Sequence, residues 1–353
     1  MNHSIKTMRP CFHPRLVNDP FGDPALFIPF LYEKRALMFD LGDISPLSPR
    51  DILKLTHVFV THTHVDHFIG FDHVLRILLG REKSLSLFGP PGFLHNVEGK
   101  LAGYTWNLVK NYSTDFSLMI TEVTVNHMVK RVYRCQNRFE AVSASHEALF
   151  QGRLFEEPSF VVHAIHLDHK IPCLGFSLEE RFHVNVLKDR LQYFDLPLGP
   201  WLKKFKDAIY RKENEDMLFE VAWNKGSRAH KRAFPLGELK EKIVRITPGQ
   251  KIVYITDIRY TPENAEKVID FAKEADSLFI EASFLDAERE IAYEKYHLTA
   301  RQAGSLARRA GAKQFRLFHF SPRYTHNAEL LYKEAQTAFE TTNLLRGEPY
   351  LPS

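Results

Sequence analysis

The chain has 353 residues, of which 44% are hydrophobic, enough to build one large or two modest domains around a buried core. Its net charge of +4 permits an anionic partner without requiring one. The three cysteines, Cys11, Cys135 and Cys173, are too few and too scattered for a disulfide framework or a Cys-based zinc site. No apolar run approaches the roughly 20 residues of a membrane span. Residues 1–15 lack an apolar signal core, so we expect a cytoplasmic protein without membrane contact.

Apolar runs typical of strands alternate with helical patterns along most of the chain. In chain order, we predict a hairpin of strands at 26–31 and 36–41, then strands at 55–60, 84–88, 118–125, 139–144, 160–165, 251–256, 277–282 and 314–318. A helix is predicted at 68–79, and amphipathic helices between and after the later strands. This mixture indicates an α/β fold in which helices cover the outer faces of sheets.

The segment between the strand at 55–60 and the helix at 68–79 concentrates metal-binding chemistry. It contains His62, His64, Asp66 and His67. Neutral imidazoles and carboxylates are the ligands that zinc and manganese prefer. Because a hard carboxylate stands beside softer nitrogens, the loop favours two adjacent metals over one closed structural site.

A two-metal site needs further ligands from other strand ends. His169, Asp257 and His319 each lie just past an apolar strand, where loops at one sheet edge can converge. His166 lies only three residues before His169 and remains an alternative ligand.

Together these segments resemble the metallo-β-lactamase superfamily and, within it, its ribonuclease Z branch, the tRNA 3′-end endonucleases. The loop at 61–67 is similar to the superfamily's metal-binding signature. Motifs of the branch are similar to residues 169–176, 255–259, 281–284, 297–299 and 319–324, in matching order across about 36–345. The chain departs from the usual pattern at 40–45 and at Val65, near the metal loop, which leaves a shifted substrate open.

The resemblance implies a single domain over 1–353 with the αββα four-layer metallo-β-lactamase sandwich, and an inserted, protruding substrate-binding arm at 182–237. It also implies two divalent metal ions, with zinc favoured over manganese or iron. One ion would be held by His62, His64 and His169. The other would be held by Asp66, His67 and His319, with Asp257 as the bridging ligand.

The resemblance assigns further roles around the metals. Asp66 would also orient the attacking water and accept its proton. His297 would donate a proton to the leaving 3′ oxygen, with Glu281 orienting it. Without the motif, the residues alone favour His297 as a surface histidine ahead of a helix N-capped by Thr299. Glu281 is equally an ordinary strand-end charge. Arg323 either contacts phosphate or pairs with a local carboxylate.

Strand signals fade over 182–237, and nine Lys or Arg residues lie between 203 and 232 with aromatic residues interleaved. The pattern fits contact with nucleic acid or another polyanion, but five acidic residues dilute the charge, so a solvated helical hairpin is equally consistent. The Gly-Pro segment at 196–200 resembles the element with which ribonuclease Z arms grip tRNA. We therefore expect Lys203, Lys204 and Lys206 to contact substrate.

The function expected from these features is endonucleolytic removal of the 3′ trailer from precursor tRNA, by a homodimer as in the family. The alternative is a dinuclear hydrolase of the same superfamily that acts on a small phosphodiester or another ester. A non-catalytic RNA-binding protein on a lapsed hydrolase fold is a third reading, and the complete ligand set argues against it.

Overall fold

The computed structural model describes residues 11–31, 33–141, 146–225 and 228–341. The chain divides into two compact units. The first comprises Met1–Leu154, Val162–Ser177 and Lys251–Ser353, and the second comprises Phe155–Val161 and Leu178–Gln250. Within the described ranges, no helix has both the length and the apolar character that a membrane crossing requires.

Eighteen strands and eleven α-helices are found in the described part of the chain. The strands are β1 Arg15–Leu16, β2 Leu26–Pro29, β3 Ala36–Phe39, β4 Leu55–Phe59, β5 Ser84–Gly89, β6 Ser117–Val123, β7 His127–Arg134, β8 His146–Leu149, β9 Arg153–Glu156, β10 Phe160–His169, β11 Ile171–Glu180, β12 Phe182–Val186, β13 Leu218–Lys225, β14 Arg228–Pro235, β15 Val244–Pro248, β16 Lys251–Ile255, β17 Ser277–Glu281 and β18 Phe315–Phe318. The helices are α1 Pro49–Ile52, α2 Val65–Phe68, α3 Phe71–Leu78, α4 Phe93–Ala102, α5 Lys188–Tyr193, α6 Trp201–Tyr210, α7 Leu236–Ile243, α8 Pro262–Phe271, α9 Arg289–Glu294, α10 Ala300–Arg309 and α11 Ala328–Glu340.

Two large sheets dominate the fold. One has eight strands in the order β1 to β8, and the other has six in the order β18-β17-β16-β11-β10-β9. The predicted hairpin is confirmed, since β2 and β3 pair antiparallel. Strands β3 to β6 run parallel to one another, as do β16, β17 and β18. The carboxyl ends of each parallel set therefore lie at one sheet edge.

Each sheet buries its outer face beneath helices. The core of the eight-stranded sheet includes residues of α1, α3 and α4, and the core beside β16 to β18 includes residues of α8, α10 and α11. The inner faces meet through aromatic rings: Phe39 lies 5.3 Å from Phe176 and 5.8 Å from Tyr254, measured between ring centroids. The predicted α/β class with helices on the outer faces is confirmed.

Three local predictions differ from the structure. The helix predicted at 68–79 is interrupted between α2 and α3, where the amide of Gly70 donates to the carbonyl oxygen of Leu41 at 2.8 Å instead of to a preceding turn of the helix. The strand predicted at 139–144 is absent over 139–141 apart from a single bridge from Ala141 to Tyr133. Residues 142–144 lie outside the described residues. The strand predicted at 160–165 extends to His169, and β11 follows after one residue.

The second unit contains the predicted excursion at 182–237 and has its own hydrophobic core, formed by residues of β12, α5, α6, β13 and α7. The expectation that strand signals fade there is wrong for β13 and β14, which form an antiparallel hairpin. Phe219, Val221 and Trp223 alternate with more exposed residues, which is the period of a half-buried strand. The apolar residues Leu218 and Ala222 are exposed, and they obscured this alternation in the sequence.

Candidate metal centre

The loop after β4 and the short helix α2 position four candidate ligands. His62 is buried in the loop, His64 is the N-cap of α2, and Asp66 and His67 belong to the helix. The amide of Leu41 donates a hydrogen bond to the carbonyl oxygen of His67 at 2.9 Å, which ties α2 to the segment after β3. The loop is therefore fixed by backbone contacts.

The remaining candidate ligands come from strand ends of the six-stranded sheet. His169 is the last residue of β10, Asp257 lies two residues after β16, and His319 directly follows β18. Because β16 and β18 are both parallel to β17, Asp257 and His319 emerge at the same edge. This is the convergence that the sequence predicted.

Two groups of side chains meet at this edge. The first is His62, His64, His169 and Asp257, and the second is Asp66, His67 and His319; within each group the ligand atoms lie within 4.8 Å of one another. The Oδ2 atom of Asp257 lies 3.6 Å from His62 Nε2, 3.5 Å from His169 Nε2 and 3.4 Å from His67 Nε2. Asp257 thus stands between the two groups, where a bridging ligand belongs.

His166, the alternative to His169 as a ligand, belongs to neither group among the described residues. Its ring lies 5.7 Å from that of Phe150, and its carbonyl oxygen accepts a hydrogen bond from Lys267. The geometry therefore favours His169 over His166 as a ligand.

His62, His67 and His169 are oriented as metal ligands require. In each, Nδ1 is held by a neighbouring group and Nε2 is directed at the space between the two ligand groups. The Nδ1 atom of His67 is 2.9 Å from Asp40 Oδ2, that of His169 is 2.9 Å from the carbonyl oxygen of Tyr296, and that of His62 is 3.1 Å from Thr61 Oγ1. The Nε2 atoms of His62 and His67 are buried and have no hydrogen-bond partner within the described ranges. Buried imidazole nitrogens without a partner fit divalent cations.

Asp40 is a candidate functional residue to which the motif analysis gave no role. It is fully buried, and its Oδ1 accepts hydrogen bonds from the amide of Thr61 at 2.7 Å and from the Thr61 hydroxyl at 2.9 Å. Its Oδ2 contacts His67 Nδ1 and accepts a hydrogen bond from the Tyr254 hydroxyl at 3.1 Å. Asp40 directly follows a buried strand, as Asp257 nearly does, and that shared position is the signal that could have found it.

Three acidic or histidine residues at this edge adopt left-handed backbone angles. The φ values are 58° for Asp40, 49° for Asp257 and 60° for His319. Such conformations cost of order 1–3 kcal/mol each outside glycine and cluster at functional sites. Here each turns the chain sharply at a strand end.

The charges of the cluster support one another. Burial acts to raise the pKa of Asp66, but the contacts with the His319 and His67 imidazoles outweigh it and hold the pKa well below its usual range. Burial likewise acts on Asp257, whose pKa is nevertheless held low by the charges of His319 and His67. The pKa of His67 is raised, because Asp257 and Asp40 outweigh the effect of burial. Both carboxylates are therefore ionised at neutral pH, as metal ligands must be.

His62 and His169 are neutral because burial disfavours the charged form of each imidazole. Burial lowers the pKa of His62 to about 2, and the nearby His67 adds to the effect. Burial also lowers the pKa of His169. Neutral imidazoles have a free lone pair, so these residues can bind a cation without first losing a proton.

His297 and Glu281 form a pair at the edge of the cluster. His297 Nδ1 lies 2.8 Å from Oε2 of Glu281, whose side chain is fully buried at the end of β17. Burial acts to lower the pKa of His297, but the charge and hydrogen bond of Glu281 raise it to about 9. The His297 ring lies 5.4 Å from that of His169 and 5.2 Å from that of His319, between centroids. A protonated imidazole therefore adjoins both ligand groups.

Glu281 is held in turn by the amide of Ile258 at 2.8 Å and the hydroxyl of Ser283 at 3.1 Å. This arrangement differs from an ordinary strand-end charge, which would lie in solvent. The Ser283 Oγ also lies 2.6 Å from the carbonyl oxygen of His319, the alternative acceptor for its single proton, which places the pair beside a candidate ligand.

The expected substrate-binding residues lie on two different elements. Arg323 pairs with Glu288 and lies over the ring of Phe284, so the alternative of a local carboxylate partner is the one observed. Contact of Arg323 with phosphate stays a prediction. In the second unit, Lys203 and Lys204 are exposed on α6 and Lys206 is half-buried.

Comparisons with known proteins find related sequences and a related fold. A sequence profile of the beta-lactamase superfamily domain matches residues 191–320. The ribonuclease Z of Halalkalibacterium halodurans is 30% identical over 323 residues, covering 89% of this chain and 87% of that protein. The ribonuclease Z of Deinococcus radiodurans is 28% identical, covering 82% of this chain and 83% of that protein. The metallo-beta-lactamase fold protein YhfI from Bacillus subtilis superposes with a TM-score of 0.51 at 16% identity, covering 93% of this chain and 94% of that chain.

Proposed function

The chain belongs to the ribonuclease Z family of metal-dependent hydrolases, and we propose that it cleaves precursor tRNA endonucleolytically to remove the 3′ trailer. The observation that carries the proposal is the position of Asp257 between two groups of histidine and aspartate ligands, with the His297–Glu281 pair beside them. The first arrangement fits a dinuclear hydrolase. The second supplies a proton donor at its edge.

We propose the seven residues of the two groups as the ligands of two divalent ions, with zinc favoured by the histidine-rich set. When bound, the ions would activate water and polarise the phosphodiester for in-line attack. The chain's own contribution is orientation: Asp40, Thr61 and the Tyr296 carbonyl hold the ligand imidazoles at Nδ1. A fixed outer shell keeps each Nε2 directed at the shared space.

Asp66 and His297 would act as the proton acceptor and the proton donor of the reaction. The carboxylate of Asp66 is ionised and partly exposed, so it can orient the attacking water and accept its proton. His297 is protonated at neutral pH and would donate to the leaving 3′ oxygen. Glu281 keeps the imidazole in that charged form and fixes its orientation through Nδ1.

RNA contact is proposed for the basic face of α6. Lys203 and Lys204 are exposed one turn after the Gly-Pro segment, and the hydrogen bond from Trp201 Nε1 to the carbonyl oxygen of Pro197, 2.9 Å long, fixes that segment to the helix. Such lysines bind the phosphate backbone without reading sequence. The homodimer and the cytoplasmic compartment stay predictions; light scattering of the purified chain would test the former.

The test is incubation of the purified chain with precursor tRNA carrying a 3′ trailer, with zinc or manganese added and with a chelator in a parallel reaction. We expect one cut at the junction of acceptor stem and trailer, abolished by the chelator. His67→Ala should abolish cleavage, whereas the matched control His73→Ala, in α3 and outside both ligand groups, should retain it.

The outcomes separate the competing functions. Turnover of a small phosphodiester without binding or cleavage of precursor tRNA at low salt would favour the small-ester hydrolase. Failure of the refolded chain to retain metal would contradict every hydrolase function and leave a non-catalytic role.

A further inference from the structure

Asn264, near the start of α8, joins two segments that carry candidate metal ligands. Its side chain is buried, with 2% exposure. Its Nδ2 donates to the carbonyl oxygens of Asp168 at 3.0 Å and Arg259 at 2.9 Å, and its Oδ1 accepts from the amide of Asp168 at 3.1 Å. Both Nδ2 donors and the carbonyl acceptor are therefore used on backbone groups, so no shorter or apolar side chain can replace this amide.

The bridged backbone groups lie next to ligands in the chain. Asp168 immediately precedes His169, and Arg259 lies two residues after Asp257. The amide of Arg259 also donates to the carbonyl oxygen of Asp168 at 3.1 Å. Together these bonds hold the end of β10 against the loop after β16, where His169 Nε2 lies 3.5 Å from Asp257 Oδ2.

The side chain of Arg259 acts on the His169 ring by a second route. Its guanidinium carbon lies 4.2 Å from the ring centre of Tyr293 and 3.8 Å from that of Tyr296, and its Nε donates to the carbonyl oxygen of Tyr293. Tyr296 has a φ of 62°, which a bulky residue adopts only when its surroundings enforce it. The carbonyl oxygen of Tyr296 is the partner of His169 Nδ1.

We propose that Asn264 and Arg259 are positioning residues for the metal ion shared by His169 and Asp257, an inference that rests on the proposed metal-dependent function. Asn264 holds the two ligand-bearing backbones together. Arg259, stacked between two tyrosines, holds the carbonyl group that orients the imidazole. Neither residue binds the metal, and neither is required for the ligands on α2.

The test compares Asn264→Ala and Arg259→Lys with the full-length parent and with the control Ser277→Ala. Ser277 is a buried polar residue at the opposite end of β17, where it accepts a hydrogen bond from Gln314. Zinc content and affinity are measured by competition with a chromophoric chelator, and the unfolding midpoint of the metal-free chain by circular dichroism. Lysine at 259 keeps the charge and loses the planar stacking surface.

We expect Asn264→Ala and Arg259→Lys each to lower the affinity for one of the two zinc ions by about 10–100-fold, the effect typical of residues that orient metal ligands. The second ion shares only Asp257 with the first, so its affinity should fall less. The kcat should fall at limiting zinc with KM for precursor tRNA unchanged, and Ser277→Ala should bind both ions as the parent does. Asn264→Asp keeps the size but faces a carbonyl oxygen with a carboxylate oxygen, so it should resemble Asn264→Ala.

Other results would overturn the proposal. One such result is equal zinc affinity in Asn264→Ala and Ser277→Ala. Another is loss of both ions together with a lower unfolding midpoint of the metal-free chain, because that combination would indicate a structural role. A rise in KM with altered salt dependence in Arg259→Lys, at unchanged zinc affinity, would instead make Arg259 a phosphate contact. If the parent binds zinc normally but cleaves no precursor tRNA, the proposed function is wrong and the positioning proposal still stands.

Discussion

Replacement of Asp40 by Asn tests how the outer shell controls the metal centre. The carboxylate accepts from Thr61 through Oδ1 and from Tyr254 through Oδ2, which also contacts His67 Nδ1. An asparagine has one acceptor oxygen. If that oxygen faces Thr61, the amide nitrogen faces His67, and His67 must then present an unprotonated Nδ1. The proton moves to Nε2, the atom directed at the metals.

The magnitude follows from the lost bond. A hydrogen bond to a charged group contributes about 1.5–3 kcal/mol. Since roughly 1.4 kcal/mol corresponds to a factor of ten, the loss predicts a fall of about 10–150-fold in affinity for the ion held by His67. This agrees with the roughly 10–100-fold effect typical of outer-shell partners. Because Asp40 is fully buried, part of the loss should also appear in the unfolding free energy of the metal-free chain.

The assay is zinc competition with a chelator, followed by kcat for precursor tRNA at limiting and at saturating zinc. The matched control is Tyr254→Phe, which removes one donor to Asp40 and leaves the contact with His67 intact. We expect Asp40→Asn to lose affinity and Tyr254→Phe to lose less, because the contact between Asp40 and His67 remains in that variant. Equal affinities for Asp40→Asn and the parent would refute the tautomer argument.

Three further predictions concern the Glu281–His297 pair and the exposed lysines of α6. Glu281→Gln removes the charge that raises the pKa of His297, so the alkaline limb of the kcat profile should move to lower pH; an unmoved limb would exclude His297 as the proton donor. In the metal-free parent, this raised pKa contributes stability that is present below about pH 6.5 and lost as pH rises through about 9, so Glu281→Gln should flatten that decline in thermal unfolding. Lys203→Glu combined with Lys204→Glu should weaken tRNA binding. The slope of log affinity against log salt concentration should become shallower by roughly 0.7–0.9 per lost phosphate contact, and turnover of a small phosphodiester should not change. An unchanged slope would place RNA contact elsewhere.

Much of the site could be predicted because its ligands follow directly from local pattern. The loop at 61–67 carries four candidate ligands in sequence, and His169, Asp257 and His319 each come at or just after an apolar strand. Parallel strands deliver such residues to one edge regardless of what lies between them. The sequence therefore indicated both the chemistry and its place in the fold.

The outer shell could not be predicted, because it depends on contacts between distant segments. Asp40 reaches His67 across 27 residues, and Asn264 reaches Asp168 across 96. The hairpin of β13 and β14 was missed for a different reason. Leu218 and Ala222 lie on the exposed side of β13 and are apolar, so the strand does not alternate cleanly between apolar and polar residues. Local periodicity reports burial only where the exposed positions are polar.

The most direct test of the central claim is a crystal structure of the zinc-loaded chain with anomalous scattering recorded at the zinc edge. The account predicts two anomalous peaks per chain. One should be ligated by His62, His64 and His169, the other by Asp66, His67 and His319, with Asp257 contacting both. A single peak, or a site ligated by His166 in place of His169, would contradict the proposed dinuclear centre.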